Sequence, residues 1–355
     1  MFVTIIHPDL GIGGAERLVV DAAVAMKRNG HRVQFVTNYF NPKHAFAETT
    51  EFDIKVIDVF PRSIFGFGYA LCAYIRMCIS ALYVCIFLKE TELIFCDSTW
   101  TIAMADLICV NSEFTREIVN ETFPCIRTRH IHILYPTLNT KFFDNGGTAE
   151  LNEIPKEARH IFVSINRYER KKNIGLALEA FSLLKEKIPE DDYRYCFLVI
   201  AGGYDTMNRE NIVHFIELQK NAIALGLPRE QYVFLKSPTD EEKLELLRRA
   251  IAVLYTPSNE HFGIVPVEAM YMKCCVIAPN SGGPRETIIN EETGFLVKGD
   301  PNSFAEKMAE LIKDKRKAAA MGDAGRKRVE SVFAMDSFVI QLESLMCKVV
   351  FNAHR

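Results

Sequence analysis

A chain of 355 residues is long for one hydrophobic core and comfortable for two. Its hydrophobic share of 49% and charged share of 25% are those of an ordinary globular protein. A net charge of −3 without a polybasic run leaves no electrostatic footprint for a nucleic acid, so that class of partner is set aside.

The chain opens with MFVTIIHPDLG, which enters an apolar strand at once. It shows neither a basic n-region nor a small-residue cleavage site, so no secretory signal is expected. Most of the ten cysteines sit inside apolar runs (Cys72, Cys78, Cys85, Cys109, Cys196, Cys274 and Cys275), where a free thiol behaves as a small hydrophobe. No C-x-x-C pair occurs, which indicates a reducing compartment and neither a zinc ribbon nor a redox motif.

Short β-branched runs predict strands at Phe2–His7, Arg32–Thr37, Leu93–Cys96, Leu107–Val110 and Ile131–Leu134. Between the first strand and the first helix, HPDLGIGGAERLVVDAA carries Gly11, Gly13 and Gly14. A dinucleotide fingerprint needs glycine at position 16, where Glu16 stands, so a nicotinamide dehydrogenase is disfavoured. Glycines here let backbone approach a phosphate or sugar, although a tight turn without a ligand uses the same residues.

The next stretch, Tyr69–Leu88, is twenty residues long with the single charge Arg76. By length it could span a bilayer, but Arg76 well inside it would cost about 2.5–3.5 kcal/mol. The strand at Leu93–Cys96 must also return to the sheet of Phe2–His7, which places both helix ends on one side. The reading is a helix lying on a membrane surface, with a plain buried core helix as the alternative.

The strands ending at Cys96 and starting at Leu107 are separated by ten residues, DSTWTIAMAD. A parallel crossover with its helix needs about a dozen or more. Either these strands are not sheet neighbours in the usual way, or a segment typical of such a fold is missing.

A polar, glycine-containing stretch from Asn139 to Glu157 reads as an interdomain linker. Beyond it, strands are predicted at His160–Ile165, Tyr195–Ala201, Tyr232–Leu235, Ala252–Tyr255 and Cys275–Ala278. Thr239 with Glu242 forms a capping box before KLELLRR, and Pro266 suits the first turn of its helix. The tail from Asp300 is helical. Apolar strands separated by helices indicate parallel α/β sheets. The expected architecture is two Rossmann-like domains facing across a cleft: 1–138, linker 139–157, 158–332, and a C-terminal helix at 333–355.

The strongest constellation is YTPSNEHFGIVPVEAM, Tyr255 to Met270. A strand ends, a loop carries Glu260, Gly263 permits a turn, and a helix is expected near Pro266 with Glu268 in its first turn. Free N–H groups at such a helix start suit a diphosphate. Glu268 could instead satisfy those donors itself. Glu260 lies in the preceding loop, where capping has no use for it. A second constellation, SINRYERKKN, puts Arg167 and Lys172 at a strand's C-terminal end, where their charge would meet a departing nucleoside diphosphate. A solvated basic turn is its plainer explanation. The glycine loop NSGGPRE, Asn280 to Glu286, lines the same edge but is a weak signal alone. No D-x-D and no His/Cys cluster offers a metal site, so no metal or other cofactor is expected.

Together these motifs resemble the retaining GT-B glycosyltransferases marked by E-x7-E. Within that family, HPDLGIGGAERLV, VNSEFT, LYPTLN, SINRYERKKN, VIAGGYD and LYTPSNEHFGIVPVEAMYM resemble the eukaryotic α-1,3/1,6-mannosyltransferases that extend the dolichol-linked oligosaccharide core. The resemblance covers nearly the whole chain. It implies a GT-B fold with C-terminal helices packing back toward the N-domain, GDP-mannose as donor, and the cytosolic face of the endoplasmic reticulum membrane as the place of work. It further implies that Glu268 binds the ribose, that Arg167 and Lys172 hold the diphosphate, and that Glu260 with backbone around Phe262, Gly263, Ile264 and Val265 contacts the mannose. Gly13 and Gly14 would close over the donor. Partners implied are the dolichol-linked oligosaccharide, the membrane surface through Tyr69–Leu88, and other mannosyltransferases of the pathway.

The chain departs from the family between Asp97 and Met104, where several tens of residues are normally found, including a strand ending in a C-H-F-P-like motif. Its histidine approaches the sugar in the family; His130 and His132, on a later strand, do not replace it. Two other readings therefore stay open: a non-catalytic relative that binds a GDP-sugar, and a transferase with another nucleotide sugar and acceptor.

Overall fold

The computed structural model describes residues 1–64, 67–97 and 105–353, so the short stretch between Asp97 and Ala105 lies outside the described residues. The chain divides into two compact units. The first comprises Met1–Val110, Val119–Thr137 and Met335–Arg355; the second comprises Asn111–Ile118 and Leu138–Ala334.

The elements run β1 (Phe2–His7), α1 (Gly14–Arg28), β2 (Arg32–Thr37), β3 (Asp53–Val56), α2 (Tyr69–Phe87), β4 (Leu93–Cys96), β5 (Ile108–Val110), α3 (Glu113–Thr122) and β6 (Ile131–Ile133). Then come α4 (Thr140–Asn145), β7 (His160–Ile165), α5 (Gly175–Leu184), α6 (Glu190–Tyr193), β8 (Cys196–Gly202), α7 (Arg209–Ala224), β9 (Tyr232–Lys236), α8 (Asp240–Arg249) and β10 (Ala250–Leu254). The chain finishes with α9 (Ile264–Tyr271), β11 (Cys275–Pro279), α10 (Pro284–Thr287), β12 (Phe295–Val297), α11 (Pro301–Lys313), α12 (Lys315–Arg328) and α13 (Met335–Ala353).

In the first unit, parallel strands are ordered β3-β2-β1-β4, and β5 pairs only with β6 in a separate parallel ribbon. Among the described residues β4 and β5 are not sheet neighbours, the first of the two alternatives left by their short spacing. The unit's core brings Val3, Ile5, Val19, Val20 and Phe35 against Phe338, Leu342, Leu345 and Met346 of α13. Helix α2 buries one stripe, Cys72, Arg76, Met77, Ser80 and Val84, at helical spacing. Arg76 pairs with Asp58 at 2.7 Å and donates to the Asn38 carbonyl at 2.8 Å. Asn38 in turn donates to Ser80 Oγ at 2.8 Å. The outer face leaves Tyr69, Leu71, Tyr74, Leu82, Ile86 and Phe87 exposed. Cys78 and Cys85 are on that exposed face too, outside any core.

The second unit is a six-stranded parallel sheet ordered β12-β11-β10-β7-β8-β9. Strands β7, β8 and β11 are buried along their whole length, which is why each reads as a continuous apolar run. Sequence reading does not anticipate β3 or β12. β3 (DIKV) is a partly exposed edge strand with alternating polar residues, and β12 has only three residues. The polar stretch 139–157 packs with this unit: α4 sets Phe143 against the Tyr271 ring, and Leu151 and Ile154 are buried. The capping box at Thr239 and Glu242 is formed as expected.

Candidate active site

Strands β7 and β10 are parallel neighbours at the centre of the second sheet, with β8 and β9 on one side and β11 and β12 on the other. The connections turn opposite ways there, and open α/β sheets take ligands in the crevice beyond the C-terminal ends of such strands. SINRYERKKN leaves β7 at that place, and YTPSNEHFG leaves β10.

The two loops are tied together. Thr256 Oγ1 donates to the Lys172 carbonyl at 2.7 Å, and Lys172 Nζ donates to Glu260 Oε1 at 2.7 Å. The loop after β7 is anchored by Tyr168, which is fully buried with its hydroxyl 3.0 Å from the Ile200 carbonyl and 2.9 Å from that of Leu235. Burial pushes its phenol pKa up, so it stays a neutral structural pin. Arg167, one position earlier, is exposed; its carbonyl accepts from Glu169 N at 2.7 Å, while its side chain makes no hydrogen bond or ion pair among the described residues.

Helix α9 starts two residues earlier than expected. Gly263, at φ 83°, takes the left-handed conformation that lets the chain turn straight into Ile264. A Cβ at this position would also lie 2.9 Å from the Tyr255 hydroxyl. Pro266 becomes the third helical residue, where no intrahelical N–H is needed. No side chain caps the helix, so its first-turn N–H groups point beyond the strand ends. Glu268 is consequently past the first turn, which corrects the expected placement and removes the alternative that it caps its own helix. Tyr255 beneath the turn is held protonated, first by burial and then by the nearby Glu260 carboxylate.

Glu268 is 9% exposed and meets Lys243 of α8. Lys243 Nζ lies 2.7 Å from Oε1 and 2.6 Å from Oε2, but only the Oε1 contact has hydrogen-bond direction, leaving Oε2 buried without one. The glycine loop is more than an edge: Gly283 N donates to the Glu260 carbonyl at 2.8 Å, and a Cβ at Gly283 would fall 2.2 Å from the Phe262 carbonyl oxygen. That close approach fixes the backbone from Glu260 to Phe262. Phe262 is buried with its ring 5.7 Å from that of Phe333, whereas Ile264 is exposed and Val265 half-buried.

Sequence reading misses Lys243, Gly283's support of the loop, and Glu286. The Glu286 carboxylate accepts from the backbone of Glu113 at 2.7 Å and Phe114 at 2.9 Å, capping α3. Thr115 Oγ1 lies 3.0 Å from His261 Nδ1. Gly13 and Gly14 belong to the first unit, as the N-cap and first residue of α1. There too, His7 at the end of β1 lies 3.2 Å from Asp97. No three His, Cys, Asp or Glu side chains cluster as a metal site among the described residues. Two surface hollows, of about 510 Å³ beside α11 and about 240 Å³ at Arg129, His130 and Lys348, include none of these site residues. Position at the sheet's switch point, not hollow size, marks the candidate site.

Comparison with known proteins shows the family and the fold. The family described as "Glycosyl transferases group 1" matches residues 149–328, which spans the six-stranded unit. The chain is 40% identical to human alpha-1,3/1,6-mannosyltransferase ALG2 and 39% to the mouse protein, covering 98% of this chain and 96% of each relative. The mouse alignment runs over 401 positions, more than the 355 residues available here, so that relative carries stretches without a counterpart in this chain. Among solved structures, sucrose-phosphate synthase from Thermosynechococcus elongatus superposes with TM-score 0.74 at 18% identity over 99% of both chains. Anabaena HepE, in a structure with UDP and glucose, gives TM-score 0.69 at 18% identity over 98% of this chain and 100% of its own. At such identities these two show the fold, which is GT-B. The paired acidic and basic residues at the switch point and the full-length likeness lead to one assignment: the chain belongs to the ALG2 family of alpha-1,3/1,6-mannosyltransferases.

Proposed function

We propose that this chain transfers mannose from GDP-mannose, with retention, to the dolichol-diphosphate-linked mannose/GlcNAc2 core of the N-glycan precursor, making the α-1,3 linkage and the α-1,6 linkage. The observation that supports it most is the Lys172–Glu260 ion pair at the switch point, beside the uncapped start of α9. In this reading Arg167 and Lys172 receive the diphosphate together with the free N–H groups of α9, which is stabilisation of charge where it develops. Glu260 and the backbone from Phe262 to Val265 contact the mannose. Glu268 accepts from the ribose hydroxyls. The acceptor hydroxyl arrives on the face that the diphosphate leaves, and the leaving diphosphate takes its proton, so no carboxylate nucleophile is required. The test is transfer of labelled mannose from GDP-mannose to a lipid-linked acceptor. Glu260→Ala and Arg167→Ala that transfer at the wild-type rate would overturn the reading. Transfer undiminished by a chelator is expected, because the reading gives the diphosphate charge to side chains and helix N–H groups.

The same reading places the enzyme at the cytosolic face of the endoplasmic reticulum, with α2 lying in the membrane surface. Its exposed face is apolar over most of its length, while Arg76 is committed to Asp58 and to the Asn38 carbonyl. A helix so held against its own sheet lies in an interface and does not cross it. Replacing Leu71 and Ile86 with aspartate should abolish co-flotation with liposomes; unchanged flotation counts against it. Complexes with other mannosyltransferases of the pathway fit this location.

A second reading, a relative that binds GDP-sugar without turnover, is favoured by one pairing of facts: β4 and β5 lie in separate sheets, and the mouse relative carries stretches this chain lacks. GDP binding without transfer, and transfer gained on inserting the relative's segment between β4 and β5, would establish it.

A further inference from the structure

Resting on the reading that Glu268 takes the ribose, we infer that Lys243 is the residue that makes Glu268 a diol receptor, and so sets the preference for a ribonucleotide donor. Glu268 is 9% exposed, and burying a carboxylate so far out of water is costly unless a partner offsets it. Lys243 is that partner, its ammonium 2.7 Å from Oε1 and 2.6 Å from Oε2. An ionised carboxylate offers about four acceptor positions, and an ammonium engaging one edge leaves the others unfilled. The buried Oε2 has no directional hydrogen bond, which is a standing cost that a donor hydroxyl would relieve. Two vicinal hydroxyls are the ligand groups that fill two adjacent acceptor positions of a single carboxylate. A phosphate is repelled there, and a single hydroxyl leaves one acceptor empty.

The local structure holds Lys243 in register. It is the fourth residue of α8, and the capping box of Thr239 and Glu242 fixes the first turn of that helix. Glu268 rides on α9, whose start is fixed by Gly263. Neither side chain reaches the other through local sequence; 25 positions separate them. Lys243 acts through Glu268 and is a positioning residue.

The test is calorimetry on the full chain with GDP and with 2′,3′-dideoxy-GDP. Wild type is expected to prefer GDP by roughly tenfold or more, the value of charge-assisted hydrogen bonds to two hydroxyls. Lys243→Met should erase that preference while leaving the dideoxy affinity where it was, a split that general loss of structure would not produce. Lys243→Arg, which keeps the cation, should retain the preference. In a Glu268→Gln background, Lys243→Met should cause no further loss, because the carboxylate it serves is gone. A Lys243→Met variant that still discriminates as wild type does, that weakens both ligands equally, or whose loss adds in full to that of Glu268→Gln, overturns the proposal. If wild type itself binds the two nucleotides alike, the ribose reading of Glu268 fails first and takes this inference with it.

Discussion

The two sheets of this molecule are built on the same plan and finished differently. The second unit has six parallel strands in one continuous order with the switch point at its middle. The first stops at four and continues as a separate two-stranded ribbon. The second unit holds Lys172, Glu260, Lys243 and Glu268 in two ion pairs built entirely from its own chain. A complete sheet positions chemistry through neighbouring strand ends; a sheet that ends at β4 has, among the described residues, no next strand from which to present a side chain. Donor recognition and turnover should therefore come apart under perturbation.

The largest effects should come from breaking the complete sheet. Phe162 is fully buried at the centre of β7, and Phe162→Ala should cost about 3–5 kcal/mol in chemical denaturation of the second unit. Next, Glu260→Ala should lower transfer by about 10²–10³-fold, the loss seen when a preorganised charge-stabilising group is removed; thermal stability should stay close to wild type, since Glu260 lies in a loop. Inserting a relative's segment between β4 and β5 sharpens the contrast from the other side, since turnover should rise while GDP affinity, measured by calorimetry, stays constant. The smallest effect belongs to Thr239→Ala, which removes the α8 cap and should cost about 1 kcal/mol. Because α8 carries Lys243, this variant should also weaken GDP slightly, and an unchanged affinity would separate the cap from the site.

What the sequence made legible follows from how local each signal is. Buried strands such as β8 announce themselves as apolar runs, and the capping box at Thr239 lies within four residues. Glu260 and Lys172 were readable because each sits where a strand ends. The start of α9 is not legible because proline signals a helix start, while the decisive residue is Gly263 in its left-handed turn. Lys243 was unreadable since it lies in the KLELLRR pattern like any solvated helical lysine; only the packing of α8 beside α9 gives it a carboxylate. Glu286 was hidden the same way, because it caps α3 across 173 positions of chain. The polar stretch after Asn139 looked like a linker because its buried residues, Phe143, Leu151 and Ile154, are spaced without a period.

The place of α13 has a consequence for how the molecule is made. Its Phe338, Leu342, Leu345 and Met346 complete the core around β1 and α1, and Asp336 and Glu343 pair with Arg28 and His31. During synthesis those residues leave the ribosome after every strand of the second unit has emerged. The core of the first unit is thus closed by residues made after the second unit, against the usual N-terminal-first order. A stop codon or bulky fusion just before Met335 is expected to destabilise the core of the first unit more than the six-stranded sheet.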